Sequence, residues 1–441
     1  MDNIYALSTA PGKSGVAIVR ISGNNLVEAL SAFNVPSNIK PRYATLVKIC
    51  DPLNGDVIDN AIIIWFPAPN SFTGEDIIEF HIHGSRAIIN STIGALSTVK
   101  GMRIAEPGEF SRRAFFNNKL DLTAAEGLED LINAETKAQQ KQALRQMSGE
   151  LEKLYEDWRI KLIRTLALIE AYIDFPEEDI PEEVIEEIIT IIESLKLKIA
   201  NHLDDNRKGE KLREGLFFAI IGAPNVGKSS LLNFLAKKDV AIVSNIAGTT
   251  RDIIETSLDI GGVPVTLADT AGLRESSDVI ENEGIKRALL RAKEADYKIA
   301  MFDANHIDDL DKQTLELIDD NTIILFNKID QIEKSKLNLL MKNSIFISIK
   351  NKIGTEEFLN KLEDITSELA SPSSTPLITR ARYRENLTNC LECLYNFSLE
   401  LDIELAAEEL RMAASFLGQI TGKIDIEMIL DEIFSSFCIG K

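Results

Sequence analysis

One eight-residue segment of the sequence could bind the phosphates of a nucleotide. Residues 222–229 read GAPNVGKS, which fits the pattern G-x-x-x-x-G-K-[ST] between an apolar strand, LFFAIIG, and a helix, SLLNFLA. Glycines let the backbone wrap the phosphates, and its N–H groups then point inward at a helix N-terminus. In this pattern Lys228 contacts the β and γ phosphates and Ser229 binds Mg²⁺. The segment therefore predicts a nucleoside triphosphate site.

Two later segments could complete the magnesium site. DTAG (269–272) ends the strand PVTLAD, where Asp269 can hold Mg²⁺ through a water molecule and the Gly272 N–H can meet the γ-phosphate. GTTRD (248–252) lies between the two motifs and supplies a threonine that can join the magnesium shell when the γ-phosphate is present. These residues predict a metal ion beside the phosphates.

Two further segments point to the base. NKID (327–330) ends another strand, and Asp330 can accept hydrogen bonds from the N1–H and 2-amino groups of guanine, which adenine does not offer in that form. SIK (348–350) follows the next strand and could support the base. Because the motifs stand in order at the carboxyl ends of strands, the sequence favours GTP over ATP.

The position that orients the attacking water in Ras-like proteins is apolar in this chain. Those proteins carry Gln directly after D-T-A-G, whereas this chain has Leu273, which cannot align or deprotonate water. Glu281 could position the water as a base, but it can also be a solvated carboxylate. The carboxylates of Glu275, Asp278 and Glu283 compete with it for this role.

A monovalent cation could replace the arginine finger that no local motif supplies. The carboxamide oxygen of Asn225, with backbone carbonyls of the following loop, could hold K⁺ against the phosphates and so supply the missing charge. An Asn in this loop can equally be a plain turn residue, and the residues alone leave both interpretations open.

The elements around these motifs predict a doubly wound α/β domain. Apolar runs at 216–222, 264–269, 297–303, 322–327 and 344–349 alternate with helical stretches. Residues 356–369 have the pattern of its last helix.

The first 117 residues have a different pattern, which predicts an α+β domain. Apolar β-branched runs at 16–22, 44–49 and 60–66 precede a helical pattern over 87–99. His81 and His83 share one strand face; they could bind a metal, but with no third ligand structural packing is favoured.

Long helices precede and follow the α/β unit. Apolar residues at three- and four-residue spacing begin near residue 118, with Thr123 as the expected N-cap and Glu126 three places on. Helical spacing returns after the linker SPSSTP (371–376). We expect a helical bundle of two parts, 118–211 and 371–441, with the GTPase domain (212–370) inserted between them.

Composition narrows the class of protein. The 441 residues contain 48 basic and 69 acidic side chains, and a net charge of −21 opposes nonspecific nucleic-acid binding. No apolar run is long enough to predict a membrane span, and the N-terminus lacks a targeting pattern, so we expect a cytoplasmic protein. Four scattered cysteines fit a reducing compartment, and Cys390 and Cys393 are expected to be neighbours on one helix face.

The chain as a whole resembles the bacterial tRNA modification GTPase family MnmE, also called TrmE. The resemblance rests on segments along the full length: residues 10–23, 69–84, 106–126, 212–215, 222–233, 239–252, 269–278 and the C-terminal FSSFCIGK (434–441). It implies an N-terminal α+β folate-binding domain (1–117), a discontinuous helical bundle domain and an inserted, doubly wound Ras-like P-loop GTPase domain. It also implies a homodimer through the N-terminal domains, with GTPase domains that meet when GTP and K⁺ are bound.

The resemblance assigns roles in the nucleotide site. Ser229 and Thr250 match the Mg²⁺ ligands, and Glu281 matches the catalytic carboxylate, to which we add Lys228 as a catalytic residue. The residues that match the potassium ligands are Asn225, Ser244, Ile246 and Thr249, the middle two through backbone groups. The predicted GTP-binding residues are Asn225, Val226, Gly227, Lys228, Ser229, Ser230, Ser244, Asn245, Ile246, Ala247, Gly248, Thr249, Thr250, Asp269, Thr270, Ala271, Gly272, Asn327, Lys328, Asp330, Ser348, Ile349 and Lys350.

The resemblance also implies chemistry on tRNA. With an FAD-dependent partner, MnmG, in a heterotetramer or larger complex, the family adds a carboxymethylaminomethyl or aminomethyl group to C5 of the wobble uridine. A 5-formyl- or methylene-tetrahydrofolate supplies the one-carbon unit. The residues that match the folate contacts are Arg20, Glu79, Lys119 and Lys441. Cys438 matches the family's C-terminal cysteine, which could attack an activated carbon or simply pack beside phenylalanines.

Some features leave other functions open. Lys13 and Ser14 stand where many family members have Arg and Gly, and the acidic charge weighs against tRNA binding by this chain alone. A GTPase of ribosome assembly or metal transport would share only the nucleotide domain. A folate-binding scaffold with an idle nucleotide domain is a third possibility, which the intact Lys228 and Asp330 argue against.

Overall fold

The computed structural model describes most of the chain. The described residues are 2–174, 181–237, 255–269, 290–332, 344–371, 375–399, 403–424, 430, 433–434, 437–438 and 440. The strands are β1 Asn3–Leu7, β2 Ser14–Gly23, β3 Thr45–Cys50, β4 Val57–Phe66, β5 Asp76–Gly84, β6 Met102–Ile104, β7 Leu216–Ile221, β8 Glu255–Ile260, β9 Val263–Asp269, β10 Tyr297–Asp303, β11 Thr322–Asn327 and β12 Ser344–Phe346. The α-helices are α1 Leu26–Ala29, α2 Arg86–Ser97, α3 Glu109–Phe116, α4 Leu122–Asn133, α5 Lys137–Met147, α6 Glu150–Asp174, α7 Glu182–Leu203, α8 Lys208–Glu214, α9 Lys228–Lys237, α10 Lys312–Glu316, α11 Thr355–Ala370, α12 Ala381–Asn396 and α13 Ile403–Thr421.

The chain divides into two compact units. One contains residues 1–129, 146–196 and 389–441, and the other contains residues 130–145 and 197–388. Each unit contains one six-stranded sheet together with helices. The mixed α+β and α/β fold class expected from the sequence is confirmed.

The sheet of the first unit has the order β3-β4-β5-β2-β1-β6. Its neighbours are antiparallel except β1 and β6, which are parallel. Alternate residues such as Ile78, Phe80 and Ile82 are fully or almost fully buried, and they pack with apolar residues of α2. Since side chains alternate along a strand, Glu79 and His81 lie on the opposite face of β5.

The same unit contains a long helical pair. Helix α6 packs along α13, and buried side chains of α6, including Tyr155, Trp158 and Leu162, recur at helical spacing. The predicted N-cap of α4 is wrong. Asp121, not Thr123, caps this helix, because its carboxylate accepts hydrogen bonds from the N–H groups of Thr123 and Ala124 at 2.9 and 3.0 Å.

The sheet of the second unit has the order β12-β11-β10-β7-β9-β8. All its neighbours are parallel except β8 and β9, so the carboxyl ends of β7, β9, β10 and β11 meet at one edge. The strands of this parallel part are almost continuously buried, as expected for a sheet covered on both faces.

The last predicted strand is shorter than expected. Residues 344–349 were expected to be extended, but β12 ends at Phe346. The Ile347 N–H still donates to the Phe326 carbonyl at 2.8 Å, whereas Ser348 forms a bridge with Ile353. The chain therefore turns immediately after the sheet. No helix in the described ranges is both long and apolar enough to cross a membrane.

Candidate nucleotide site and a second polar site

The phosphate loop leaves the end of β7 and begins α9. Gly222 has a φ of 152° and Gly227 a φ of 112°, which favour glycine. A Cβ atom at Gly227 would lie 2.3 Å from Asn327 Nδ2, and one at Gly222 would lie 2.5 Å from the Met301 carbonyl oxygen. A side chain at either position would clash with a neighbouring residue, and the backbone angles also favour glycine, so both positions require glycine.

The Lys228 ammonium lies inside this loop. Its Nζ donates hydrogen bonds to the carbonyl oxygens of Gly222 and Ala223 at 2.7 and 3.0 Å, and the side chain is buried. Burial lowers the pKa of Lys228, while the carboxylates of Asp269 and Asp311 oppose that shift. A buried cation surrounded by loop carbonyls is suited to receive phosphate oxygens.

The two predicted metal-site residues that can be examined meet at the carboxyl end of the sheet. The Ser229 hydroxyl donates to Asp269 Oδ2 at 3.0 Å. Within the described part of the chain, the other carboxylate oxygen of Asp269, Oδ1, is buried and has no hydrogen-bond partner. A buried, unsatisfied carboxylate oxygen is costly, and a hydrated cation would satisfy it. A hydroxyl beside a carboxylate is also the oxygen donor set that Mg²⁺ prefers.

The NKID segment supports the phosphate loop from β11. The Asn327 amide donates to the Val226 carbonyl at 2.8 Å, and its Oδ1 accepts from the Ile349 N–H at 3.3 Å. The Lys328 ammonium donates to the Asn225 carbonyl at 2.8 Å. The Asn327 carboxamide therefore forms hydrogen bonds with both the phosphate loop and the loop after β12.

The predicted base-binding residues lie in the segments that follow β11 and β12, and they differ in solvent exposure. Asp330 lies exposed in a 3-10 helix, Ile329–Gln331, and Lys350 is exposed in the turn after β12. The Ser348 hydroxyl is buried and accepts from the Asn351 N–H at 3.2 Å. Ser230 is exposed at the third position of α9.

Asn225 borders an open cleft. Its φ is 64°, a left-handed conformation that Asn tolerates better than most residues. The cleft has a volume of about 920 Å³, and its lining includes Asn225, Asp303 and Lys328. The Asn225 side chain is exposed and can reach a ligand from this side.

Several predicted site residues lie outside the described residues. They are Ser244, Asn245, Ile246, Ala247, Gly248, Thr249, Thr250, Thr270, Ala271, Gly272, Glu281 and Lys441. Their roles remain predictions, as does the comparison of Glu281 with its neighbouring carboxylates.

A second polar site lies on the first sheet. Arg20 on β2 is paired in register with Glu79 on β5, and Arg20 Nε donates to Glu79 Oε1 at 3.0 Å. The guanidinium lies 5.8 Å from the ring centroids of both Phe72 and Phe110. The second oxygen of Glu79 is 3.2 Å from His81 Nε2.

The C-terminal segment reaches this pair. The Gly440 carbonyl accepts hydrogen bonds from the Ser8 hydroxyl at 2.9 Å and from Arg20 Nη1 at 3.5 Å. The sequence did not point to Ser8, Gly440 or the two phenylalanines, because their proximity depends on contacts between distant parts of the chain. The resemblance gave a partial signal, since it placed both Arg20 and the terminal Lys441 in one predicted site.

Two further predicted site residues of this unit are Lys119 and Cys438. Lys119 is exposed, and among the described residues its side chain forms no hydrogen bond or ion pair with Arg20 or Glu79. Its chain runs past Gly74, where a Cβ would lie 3.1 Å from Lys119 Cε. Cys438 is exposed, whereas Phe434 and Phe437 beside it are buried.

The Cys390 and Cys393 thiols are buried in α12, which confirms the interpretation of two neighbours on one helix. Burial raises the pKa of both thiols, that of Cys393 to about 11. Neither is therefore a ready nucleophile near neutral pH.

Comparisons with known proteins match the whole chain. Residues 122–438 match the family description "MnmE helical domain", and residues 3–119 match "GTP-binding protein TrmE N-terminus". Proteins named tRNA modification GTPase MnmE from Rickettsia bellii and Rickettsia rickettsii are each 53% identical over 445 residues. These matches cover 100% of this chain and 100% of each relative.

Solved structures give a more limited likeness. Aquifex aeolicus Era bound to GDP·AlF4⁻ is 25% identical, covers 42% of this chain and 69% of its own, and has a TM-score of 0.28. The G domain of the T. maritima FeoB iron transporter is 26% identical, covers 35% of this chain and 99% of its own, and has a TM-score of 0.26. The full-length identity to the curated relatives and the two family matches are decisive: this chain belongs to the MnmE family of tRNA modification GTPases.

Proposed function

We propose that this chain is a K⁺-activated GTPase that hydrolyses GTP to GDP and phosphate and takes part in modifying the wobble uridine of tRNA. The observation that supports hydrolysis best is the buried Lys228 ammonium beside the Ser229–Asp269 pair. On binding GTP, the ammonium exchanges two loop carbonyls for β- and γ-phosphate oxygens. This exchange places a positive charge where negative charge develops during hydrolysis.

Magnesium fits the same corner of the loop. Ser229 and Asp269 would hold it, Asp269 through water, and Thr250 would join them when the γ-phosphate is present. When bound, Mg²⁺ neutralises charge on the phosphate oxygens. The hydrogen bond between the Ser229 hydroxyl and Asp269 already holds the two groups on one side of the loop.

Guanine selection is proposed for Asp330. Its carboxylate is exposed two residues after Lys328, whose ammonium contacts the phosphate loop, and it would accept hydrogen bonds from the guanine N1–H and 2-amino groups. Asn327 holds that segment by its bonds to Val226 and Ile349, and Ser348 and Lys350 would flank the base.

Potassium is proposed to bind at Asn225. The exposed carboxamide borders an open cleft, and Ser244, Ile246 and Thr249 would supply the remaining contacts. Glu281 would position the attacking water, because Leu273 has no group that could do so. GTPase domains of two copies would then meet across this face.

Folate binding is proposed on the first sheet, at Arg20 and Glu79 with Lys119 and Lys441. The pair combines a cation that can hold the glutamate tail of a 5-formyl- or methylene-tetrahydrofolate with a carboxylate that can bind a pterin edge. Two aromatic rings beside the guanidinium limit its rotation. Cys438 is exposed in the same C-terminal segment as Gly440, so a chemical role for its thiol remains a proposal.

Homodimerisation is proposed through the open face of this sheet. Leu46, Ile62, His81 and Ile18 form one row across β3, β4, β5 and β2. Leu46 and Ile62 are 73% and 42% exposed, which is unusual for apolar side chains on a sheet. A second copy packed on this face would bury the row and cover the Arg20–Glu79 pair.

The proposed reaction adds a carboxymethylaminomethyl or aminomethyl group to C5 of the wobble uridine, in the cytoplasm, with an FAD-dependent MnmG. The acidic chain would bind tRNA together with that partner in a heterotetramer or larger complex. The domain boundaries proposed with this function are 1–117, 118–211, 212–370 and 371–441.

The decisive test is mass spectrometry of tRNA nucleosides from cells that lack this gene. We expect the modified wobble uridine to disappear and to return when the wild-type gene is restored. Its persistence at the normal level would contradict the proposed role in modification, whatever the rate of GTP hydrolysis.

A further inference from the structure

An ion pair at the end of β10 contacts the backbone of the phosphate loop. The Lys328 ammonium donates to the Asn225 carbonyl at 2.8 Å and to Asp303 Oδ2 at 2.7 Å. Lys328 therefore lies between a carboxylate on the sheet and a carbonyl on the loop. Both Lys328 and Asn225 have left-handed backbone angles, with φ of 68° and 64°.

Asp303 is itself rigidly held. Its Oδ1 accepts from the Asn305 N–H at 3.0 Å and from Asn305 Nδ2 at 2.9 Å. Burial would raise the pKa of Asp303, but the hydrogen bonds from Lys328 and Asn305 outweigh it and lower the pKa below its ordinary value. The carboxylate is therefore charged throughout the neutral range and can fix the direction of the Lys328 ammonium.

The left-handed angle of Asn225 needs such support. A non-glycine residue in this region is strained, Asn less than most, and it persists where the surroundings hold it. The bond from Lys328 to the Asn225 carbonyl holds the peptide that follows this residue. Because the backbone angles set the direction of the Cα–Cβ bond, this hydrogen bond also helps to fix how the Asn225 side chain leaves the backbone at the edge of the cleft.

We infer that Asp303 is a positioning residue: through Lys328 it holds Asn225 in the conformation that binds a monovalent cation. This inference rests on the proposed potassium site at Asn225. It adds a residue outside the nucleotide motifs to the set that determines potassium affinity. Asp303 is not among the predicted nucleotide or cation contacts, so we expect its removal to weaken cation binding while the chemical step survives.

A matched control is present on the same strand. Lys298, near the start of β10, forms an ion pair with Asp319, whereas Asp303 is the last residue of the strand. Asp319→Asn removes a carboxylate that likewise pairs with a lysine of this strand, but at the end opposite to Asp303 and the phosphate loop. A general loss of sheet stability would affect both variants in the same direction.

The experiment measures GTP hydrolysis by the full-length chain against K⁺ concentration at constant ionic strength. For Asp303→Asn we expect the half-saturating K⁺ concentration to rise about 5- to 10-fold, as for loss of a charged hydrogen bond. The rate at saturating K⁺ should stay within about threefold of wild type, because the chemical groups remain. Asp319→Asn should keep the wild-type K⁺ dependence.

A double-mutant cycle tests the route through Lys328. If Asp303 acts through this ammonium, Asp303→Asn should change the K⁺ dependence of a Lys328→Met background by less than about twofold. If Asp303→Asn does not fold, Asp303→Glu is measured instead. This variant keeps the charge, but its longer side chain changes the position of the carboxylate, so the half-saturating K⁺ concentration should still rise.

The outcomes separate this inference from the proposed function. A wild-type chain that K⁺ stimulates, together with an unchanged K⁺ dependence in the Asp303 variant, would overturn the positioning role alone. A wild-type chain with equal rates in K⁺ and Na⁺ would overturn the potassium site and this inference together. A full additional effect of Asp303→Asn in the Lys328→Met background would also overturn it.

Discussion

The two candidate sites are built in different ways. The nucleotide site is formed by loops that each follow a parallel strand directly, and each loop carries a short motif, although contacts between the loops join residues as distant in sequence as Val226 and Asn327. The Arg20–Glu79 site joins residues 59 positions apart and adds the carbonyl of Gly440, which is 420 positions from Arg20. Local motifs reveal the first kind of site, whereas only strand register and chain topology assemble the second.

The variant with the largest expected effect should impair the nucleotide site and leave the Arg20–Glu79 site unchanged. Lys228→Ala should lower GTP hydrolysis by about 10²- to 10³-fold, because the charge at the β and γ phosphates is lost. Folate binding should stay unchanged. Phosphate release and equilibrium folate binding are measured on the same preparation.

The control for this variant lies on the same helix. Lys237→Ala, at the exposed carboxyl end of α9, should hydrolyse GTP like wild type. Hydrolysis by Lys228→Ala within about tenfold of wild type would contradict the assigned role of the ammonium.

The second expected effect concerns the base. Asp330→Asn should weaken GTP binding by about 100-fold, since the charged acceptor for N1–H and the 2-amino group is lost. Xanthosine triphosphate carries an oxygen in place of the guanine 2-amino group, and we expect it to bind Asp330→Asn more tightly than it binds wild type. Asp320→Asn, an exposed carboxylate before the start of β11, is the control. Unchanged base preference in Asp330→Asn would remove Asp330 from the site.

The third expected effect concerns the Arg20–Glu79 site. Arg20→Ala should weaken tetrahydrofolate binding by about tenfold or more, because a charged donor to the glutamate tail is removed. GTP hydrolysis should remain within about twofold of wild type. Arg86→Ala, at the exposed start of α2, should affect neither activity. Equal folate affinity in the Arg20 and Arg86 variants would place the folate elsewhere.

Most of the second sheet could be predicted from sequence for a physical reason. Its buried parallel strands are continuous apolar runs, and the predicted bounds of β10 and β11 match the structure at both ends. The phosphate loop could be predicted because its glycines, lysine and serine stand at a fixed spacing between a strand and a helix, although the contacts that exclude a side chain at Gly222 and Gly227 come from Met301 and Asn327. The short strand β12 could not, because the bridge from Ser348 to Ile353 replaces the expected extension.

The first unit was harder to predict. Strand β1 received no prediction, and its pairing with β2 and β6 depends on residues far along the chain. The cap of α4 shows a related limit, since Asp121 and Thr123 are both suitable capping residues and only the contacts decide between them. The ring contacts of Arg20 likewise require three separate elements to meet.

The smallest expected effect concerns a residue in neither site. Burial lowers the pKa of His202 to about 4, so the folded state resists protonation. Stability is then fully present above about pH 6.5 and is lost as the pH falls toward 4. We expect wild type to lose about 2 kcal/mol more than His202→Gln between pH 7 and pH 5. Urea unfolding at both pH values measures this, and parallel losses would contradict it.

The most direct test of the account compares GTP hydrolysis in K⁺ and Na⁺ at equal ionic strength and saturating Mg²⁺. We expect wild type to be at least about tenfold faster in K⁺, because the cation supplies charge that no arginine provides. Asn225→Ala should hydrolyse GTP slowly and equally in both salts. Equal wild-type rates in the two salts, or a K⁺ advantage that survives in Asn225→Ala, would contradict the proposed mechanism.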